Sequence, residues 1–178
     1  ALMICRNTTI MDSSNAGGEI VGGAANGGQL YTAGYAYGLT GGTTTDENPT
    51  LTVAKSELNL TGGTIAAQNL FAGAHARKGA YTVVNETVIS VTDGTYKRIY
   101  GGGWAEKYGK SEVGSSSITV SGGKLEYIYA GGANALGGTT VTGSATITVS
   151  GDAAVDFIFL AGKNANCSVT NDAAVTLS

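Results

Sequence analysis

Residues 118–152, "ITVSGGKLEYIYAGGANALGGTTVTGSATITVSGD", contain one period of a repeat and the opening of the next. Ile118-Thr119-Val120 runs into Ser-Gly-Gly, and Ile147-Thr148-Val149 runs into Ser-Gly-Asp. Each triplet alternates apolar and polar residues with the period of two that marks a half-buried strand, and no helical period crosses the stretch. Between the triplets lies "YIYAGGANALGG", Tyr127 to Gly138, which has the glycine content of a phosphate-cradling loop. Such a loop needs a following helix whose N–H groups face the anion. Here a strand pattern follows, and the Lys-Ser/Thr of a P-loop is missing. The stretch therefore reads as a corner between strands.

Working outward, the same corner recurs. Leu30-Tyr31, Leu70-Phe71, Ile99-Tyr100, Ile128-Tyr129 and Ile158-Phe159 are aliphatic–aromatic pairs, each followed by small residues and glycine, at spacings of 40, 29, 29 and 30. A second register advances with it: Leu58/Leu60, Ile89/Val91, Ile118/Val120, Ile147/Val149 and Val175/Leu177. A third short segment is centred on Val83, Val113, Val141 and Val169. The one long spacing is explained by an inserted loop near 38–49, "GLTGGTTTDENP", since extra loop length is thermodynamically cheap. Three short β segments per period of about 29 residues, with no helix, predict an all-β parallel β-helix, a solenoid of five to six coils.

In this reading the chain is a single domain. Residues 1–29 form a degenerate first coil or an N-terminal arm, and 30–178 form five clear coils. Equivalent strands stack about 4.8 Å apart. Leu70, Ile99, Ile128 and Ile158, with Ile118, Val120, Ile147 and Val149, form the inward core ladders, and glycines make the corners where φ turns positive.

Composition narrows the function classes. Only 13% of residues are charged, and net charge is −3 with the ten basic residues dispersed, so no footprint for nucleic acid is visible. Glycine is 29 of 178 while proline occurs once, which argues against a disordered linker. No apolar run reaches the roughly 18 residues of a spanning helix, so membrane insertion is not expected. Two cysteines, Cys5 and Cys167, make neither a disulfide framework nor a zinc site, and no metal or other cofactor is expected.

Units such as 118–152 resemble the Gly/Thr-rich repeats of bacterial surface β-helix proteins, autotransporter passenger domains and adhesins of gut bacteria among them. The likeness covers about Leu30 to Ser178. It implies a right-handed β-helix, a secreted or cell-surface location, a bacterial source and a non-catalytic scaffold role. "AAVTLS" at 173–178 aligns with "ATITVS", which reads as a complete coil without a cap. An uncapped coil exposes unpaired backbone groups and its apolar ladder, a template for further strands. The expected partner is therefore a second copy, stacked head to tail into a fibre or an adhesin stalk. Within one chain Cys5 and Cys167 are expected about 20–25 Å apart, beyond the roughly 7 Å Cα reach of a disulfide. Across a head-to-tail junction they are candidates for an inter-subunit disulfide; two separate thiols, or a bond formed through an N-terminal arm, are the alternatives.

Chemistry is sparser. His75, the only histidine, falls at a position held by Trp104 and Asn134 in neighbouring coils and reads as an exposed corner residue. Glu106, Lys107 and Lys110 stack near Arg77 and Lys78, a small basic patch beside Trp104 and His75. His75, Trp104, Lys107 and Tyr108 are the candidate contacts for host or matrix glycans, the second functional reading. A polysaccharide-active enzyme is the third; it calls for paired carboxylates along one face, which the repeats do not supply.

Overall fold

The structure, a computed structural model, describes residues 2–3, 8–10, 29–38, 50–64 and 69–178. The described residues are all-β and wind as a parallel solenoid. Strands β1 (Leu2–Met3) and β2 (Thr8–Ile10) precede a coil formed by β3 (Gln29–Tyr31), β4 (Tyr35–Tyr37) and β5 (Thr50–Thr64). The next contains β6 (Asn69–Phe71), β7 (His75–Arg77) and β8 (Tyr81–Tyr100), whose end already belongs to the coil above. Then come β9 (Trp104–Glu106), β10 (Lys110–Val120) and β11 (Lys124–Tyr129), followed by β12 (Ala133–Ala135), β13 (Gly138–Val141), β14 (Ala145–Val149) and β15 (Ala154–Phe159). The last turn ends with β16 (Cys167–Val169) and β17 (Ala173–Leu177). A 13-stranded sheet and a four-stranded sheet, β4-β7-β9-β12, hold these strands.

Pairing follows the sequence registers closely. Leu30, Leu70, Ile99, Ile128 and Ile158 align in successive coils. So do Leu58, Ile89, Ile118, Ile147 and Val175. In the third segment the partner of Val113 is Val84, not Val83. With a side-chain period of two, that one-residue difference turns Val84 inward and Val83 outward; Val84 is fully buried.

The described residues complete about four turns, not five to six. The last turn lacks a strand in the four-stranded sheet because it is short there. Ile128 pairs with Ile158, 30 residues on, whereas Thr139 pairs with Cys167, 28 residues on. Two residues are missing between those points, and a turn replaces the strand. At the other end, Leu2–Met3 pairs with β3 and Thr8–Ile10 with β5; the rest of 1–29, where the sequence predicts a degenerate coil or an arm, lies outside the described residues.

Two cores run along the axis. The larger holds the expected aliphatic ladders, with Leu70, Ile99, Ile128, Ile118, Val120 and Ile147 buried and Val149 and Ile158 partly buried against them. The second contains the aromatic partners: Tyr31, Phe71, Tyr100 and Tyr129, with Trp104 and Tyr127 packed alongside. Their rings stack at 5.2, 4.4 and 4.7 Å, and Phe159 continues the column 4.8 Å from Tyr129. These aromatics alternate away from the aliphatic core, yet side chains of the four-stranded sheet cover them.

The corners divide: glycines that follow the second register, Gly94, Gly123 and Gly151, turn left-handed as expected, whereas those that follow the aliphatic–aromatic pairs of the middle coils are close approaches. A Cβ on Gly73 would lie 2.5 Å from the Gly103 nitrogen, and one on Gly102 2.5 Å from that of Gly132. A few residues after these close approaches, positive φ falls on side-chain-bearing residues, Lys78, Lys107, Tyr108 and Leu136, and on Gly79. In "YIYAGGANALGG" it is therefore the leucine that turns left-handed, because the glycines are spent on letting backbones touch. Buried hydroxyls bond the corner carbonyls: Thr87 Oγ1 donates to Gly101 O at 2.7 Å, and Ser111 Oγ to Ala74 O at 3.0 Å.

Candidate functional site

The corner carried by β4, β7 and β9 gathers most of the chemistry. Register places Tyr35, His75, Trp104 and Ala133 in one column, so the residue level with Trp104 is Ala133 and not Asn134. Tyr37, Arg77, Glu106 and Ala135 form the next column.

His75 is not an exposed corner residue; it is 8% exposed. Its ring lies 4.8 Å from that of Tyr31 and 4.6 Å from that of Tyr35, and edge-on to Trp104. It caps the aromatic column, a role hidden in sequence because the column's burial is a tertiary effect. Nε2 sits 3.6 Å from Glu106 Oε1 without a hydrogen bond. The same carboxylate forms an ion pair with Arg77. Burial first, and then the charge of Arg77, depress the imidazole pKa to about 3.

That value carries a pH dependence. An imidazole with folded pKa below its unfolded 6.5 contributes stability that is present above pH 6.5 and lost as pH falls toward 3. Between pH 7 and pH 4.5 the loss is expected to be about 2–3 kcal/mol. Urea unfolding at the two pH values, compared with His75→Phe, measures it. The variant keeps the stacking and should lose clearly less stability than the parent; equal losses would exclude His75 as the source.

Of the four glycan candidates, Trp104 is half-buried over the aromatic column, 5.9 Å from Phe71. Lys107 and Tyr108 stand exposed at the outer corner, Tyr108 at 60%. His75 and Trp104 are thus packing residues, and Lys107 and Tyr108 are surface residues; the four do not form one site. Lys110 is turned away from this corner, paired with Glu112 and lying over the Tyr81 ring. Tyr37, absent from the sequence-derived candidates, joins the corner, with Lys78 Nζ 4.9 Å and Arg77 Cζ 5.7 Å from its ring centre. Its only sequence signal was alternation in Tyr35-Ala36-Tyr37.

Cys167 is a buried free thiol whose Sγ donates to Asn134 Oδ1 at 3.5 Å. Cys5 lies outside the described residues, as does most of the inserted loop at 38–49. Among the described residues no three His, Cys, Asp or Glu side chains gather to hold a metal, and no helix is long and apolar enough to cross a membrane. Compared with family models, curated proteins and solved structures, the chain matches none.

Proposed function

We propose that the chain is a non-catalytic structural module of an extracellular, cell-surface fibre or stalk of bacterial type, in which copies associate by stacking coil on coil. One observation supports this above others. Each internal junction is made by the same ladders, aliphatic and aromatic, and the face of the last turn carries the next rung of each. There Phe157, Phe159, Val175 and Leu177 are exposed at 52%, 42%, 38% and 71%. Among the described residues, β15, β16 and β17 are each paired along one edge only. A further coil, of the same chain or of a second copy, matches that face in hydrogen bonding, ring stacking and apolar contact, and between copies a contact of this heterologous kind propagates.

Sedimentation velocity and electron microscopy test the reading. The protein is expected to form elongated species whose length grows with concentration. Phe159→Lys combined with Leu177→Lys, both at exposed positions, should return it to short rods with its β spectrum intact. Monodisperse short rods at all concentrations would overturn self-association.

A further inference from the structure

The outer corner following the four-stranded sheet holds two lysines that no carboxylate among the described residues pairs with. Backbone bonds run from Lys78 N to Glu106 O and from Gly79 N to Lys107 O, so Lys78 stacks on Lys107 and Gly79 on Tyr108. The two lysines are one coil apart, about 4.8 Å between backbones. Both are held left-handed, with φ of 53° and 49°, a region that glycine enters freely and a lysine does not. Leu136 continues this left-handed column in the coil above and ends the run of charge. Arg77 joins the lysines from β7, and its partner Glu106 is the one carboxylate at the corner among the described residues. Neither Lys78 nor Lys107 has an ion-pair partner among them.

The cations converge on Tyr37. Its phenol, 40% exposed, has Lys78 and Arg77 against its ring. A hydrogen bond with Lys78, and then the charges of Lys78, Arg77 and Lys107, hold its pKa below the usual value. Tyr108 exposes a second phenol on the Lys107 side.

We infer that Arg77, Lys78, Lys107, Tyr37 and Tyr108 form a binding site for an acidic polysaccharide, its carboxylate or sulfate held by the stacked lysines and its sugar rings lying against the two tyrosines. Like charges stacked at a strained backbone position are relieved by a bound anion, and exposed phenols offer a flat apolar face with a hydroxyl at the rim. Sparse charge on the ligand is required. Nucleic acid, with one charge per about 1.7 Å of duplex, would press further phosphates onto a molecule whose net charge is −3. A uronic-acid polymer brings one carboxylate per sugar. The site depends only on the side of the solenoid and is independent of how coils associate.

The test is calorimetric titration at low salt with polygalacturonate, with neutral dextran and with polyuridylate. Polygalacturonate is expected to bind, more weakly as salt rises, with dextran silent and polyuridylate weaker. The double variant Lys78→Gly, Lys107→Gly should lose about tenfold or more in affinity. Because glycine suits the left-handed backbone, its thermal midpoint should match or exceed the parent's, so that the loss is not unfolding. A Tyr37→Ala variant should weaken binding while leaving the salt dependence in place. No binding by the parent, undiminished binding by the double variant, dextran binding as well as polygalacturonate, or polyuridylate binding more tightly would each overturn the proposal.

Discussion

Gly102→Ala is expected to lower the unfolding free energy by about 3 kcal/mol, among the largest effects of any single methyl in this molecule. The added Cβ would lie 2.5 Å from the Gly132 nitrogen and 2.9 Å from the Gly131 carbonyl carbon. Both are backbone atoms and neither can rotate aside. Gly102 is also bonded on both sides, donating to Gly131 O at 3.2 Å and accepting from Gly73 N at 3.1 Å. Coils can separate only by breaking those bonds, so the strain spreads to both neighbours. Gly138→Ala is the matched control, since its Cβ would find only Asn166 O at 3.9 Å; a change within about 0.5 kcal/mol is expected. Chemical denaturation of the two variants makes the comparison. Equal effects would mean that the corner glycines serve chain entropy rather than close approach.

The second large effect lies in the aromatic column. Tyr100 is fully buried between Phe71 and Tyr129, with ring centres 4.4 and 4.7 Å away. Tyr100→Ala removes the middle of a continuous stack and leaves a cavity in a compartment closed by Trp104 and Ala133, at a cost of about 3–5 kcal/mol. Its hydroxyl donates a single part-buried bond to Asn69 Oδ1 at 3.3 Å, so Tyr100→Phe should cost only about 0.5–1.5 kcal/mol. The gap between the variants, read from denaturant midpoints, measures how much the ring contributes. If the alanine variant were no worse than the phenylalanine one, the column would be decoration on the aliphatic core rather than a second core.

How far the sequence carried depends on which physical signal each residue left. Ile118, Ile147 and their equivalents were legible because one residue type recurs at one period and faces one way, and their register is as read. Val83 and Val84 sit side by side, so composition alone did not say which faces inward; pairing with Val113 decides it. Tyr31, Phe71 and Tyr100 were visible as a repeat, but their burial was not. Alternation marks them as outward-facing, and what covers them comes from a strand that only the winding brings near. His75 was misread for the same reason. The glycines were recognised, and Gly94, Gly123 and Gly151 do turn left-handed, but sequence cannot tell these from Gly73 and Gly102, which are needed for contact, nor show that Lys78, Lys107, Tyr108 and Leu136 are left-handed too. At the candidate site, Lys107 and Tyr108 were found from stacking the repeats. Tyr37 was missed, because its proximity to Lys78 and Arg77 depends on how the coil below aligns.

The changes in repeat length have a further consequence. The ten or so extra residues near 38–49 and the two missing from the last turn both fall between the aliphatic–aromatic pair and the third segment. The Leu58/Leu60 and Ile147/Val149 ladders keep their register through both, the irregularity on the remaining sides being confined to Thr61–Thr64. One flank of the rod thus behaves as an expansion joint, able to lengthen or shorten without disturbing the stack. That makes the Leu136-Gly137 bend, exposed at its leucine, the natural place to graft a foreign peptide for display. Such a graft would sit a single coil from Lys107, on the flank where new contacts can be tried while the column beneath stays unchanged.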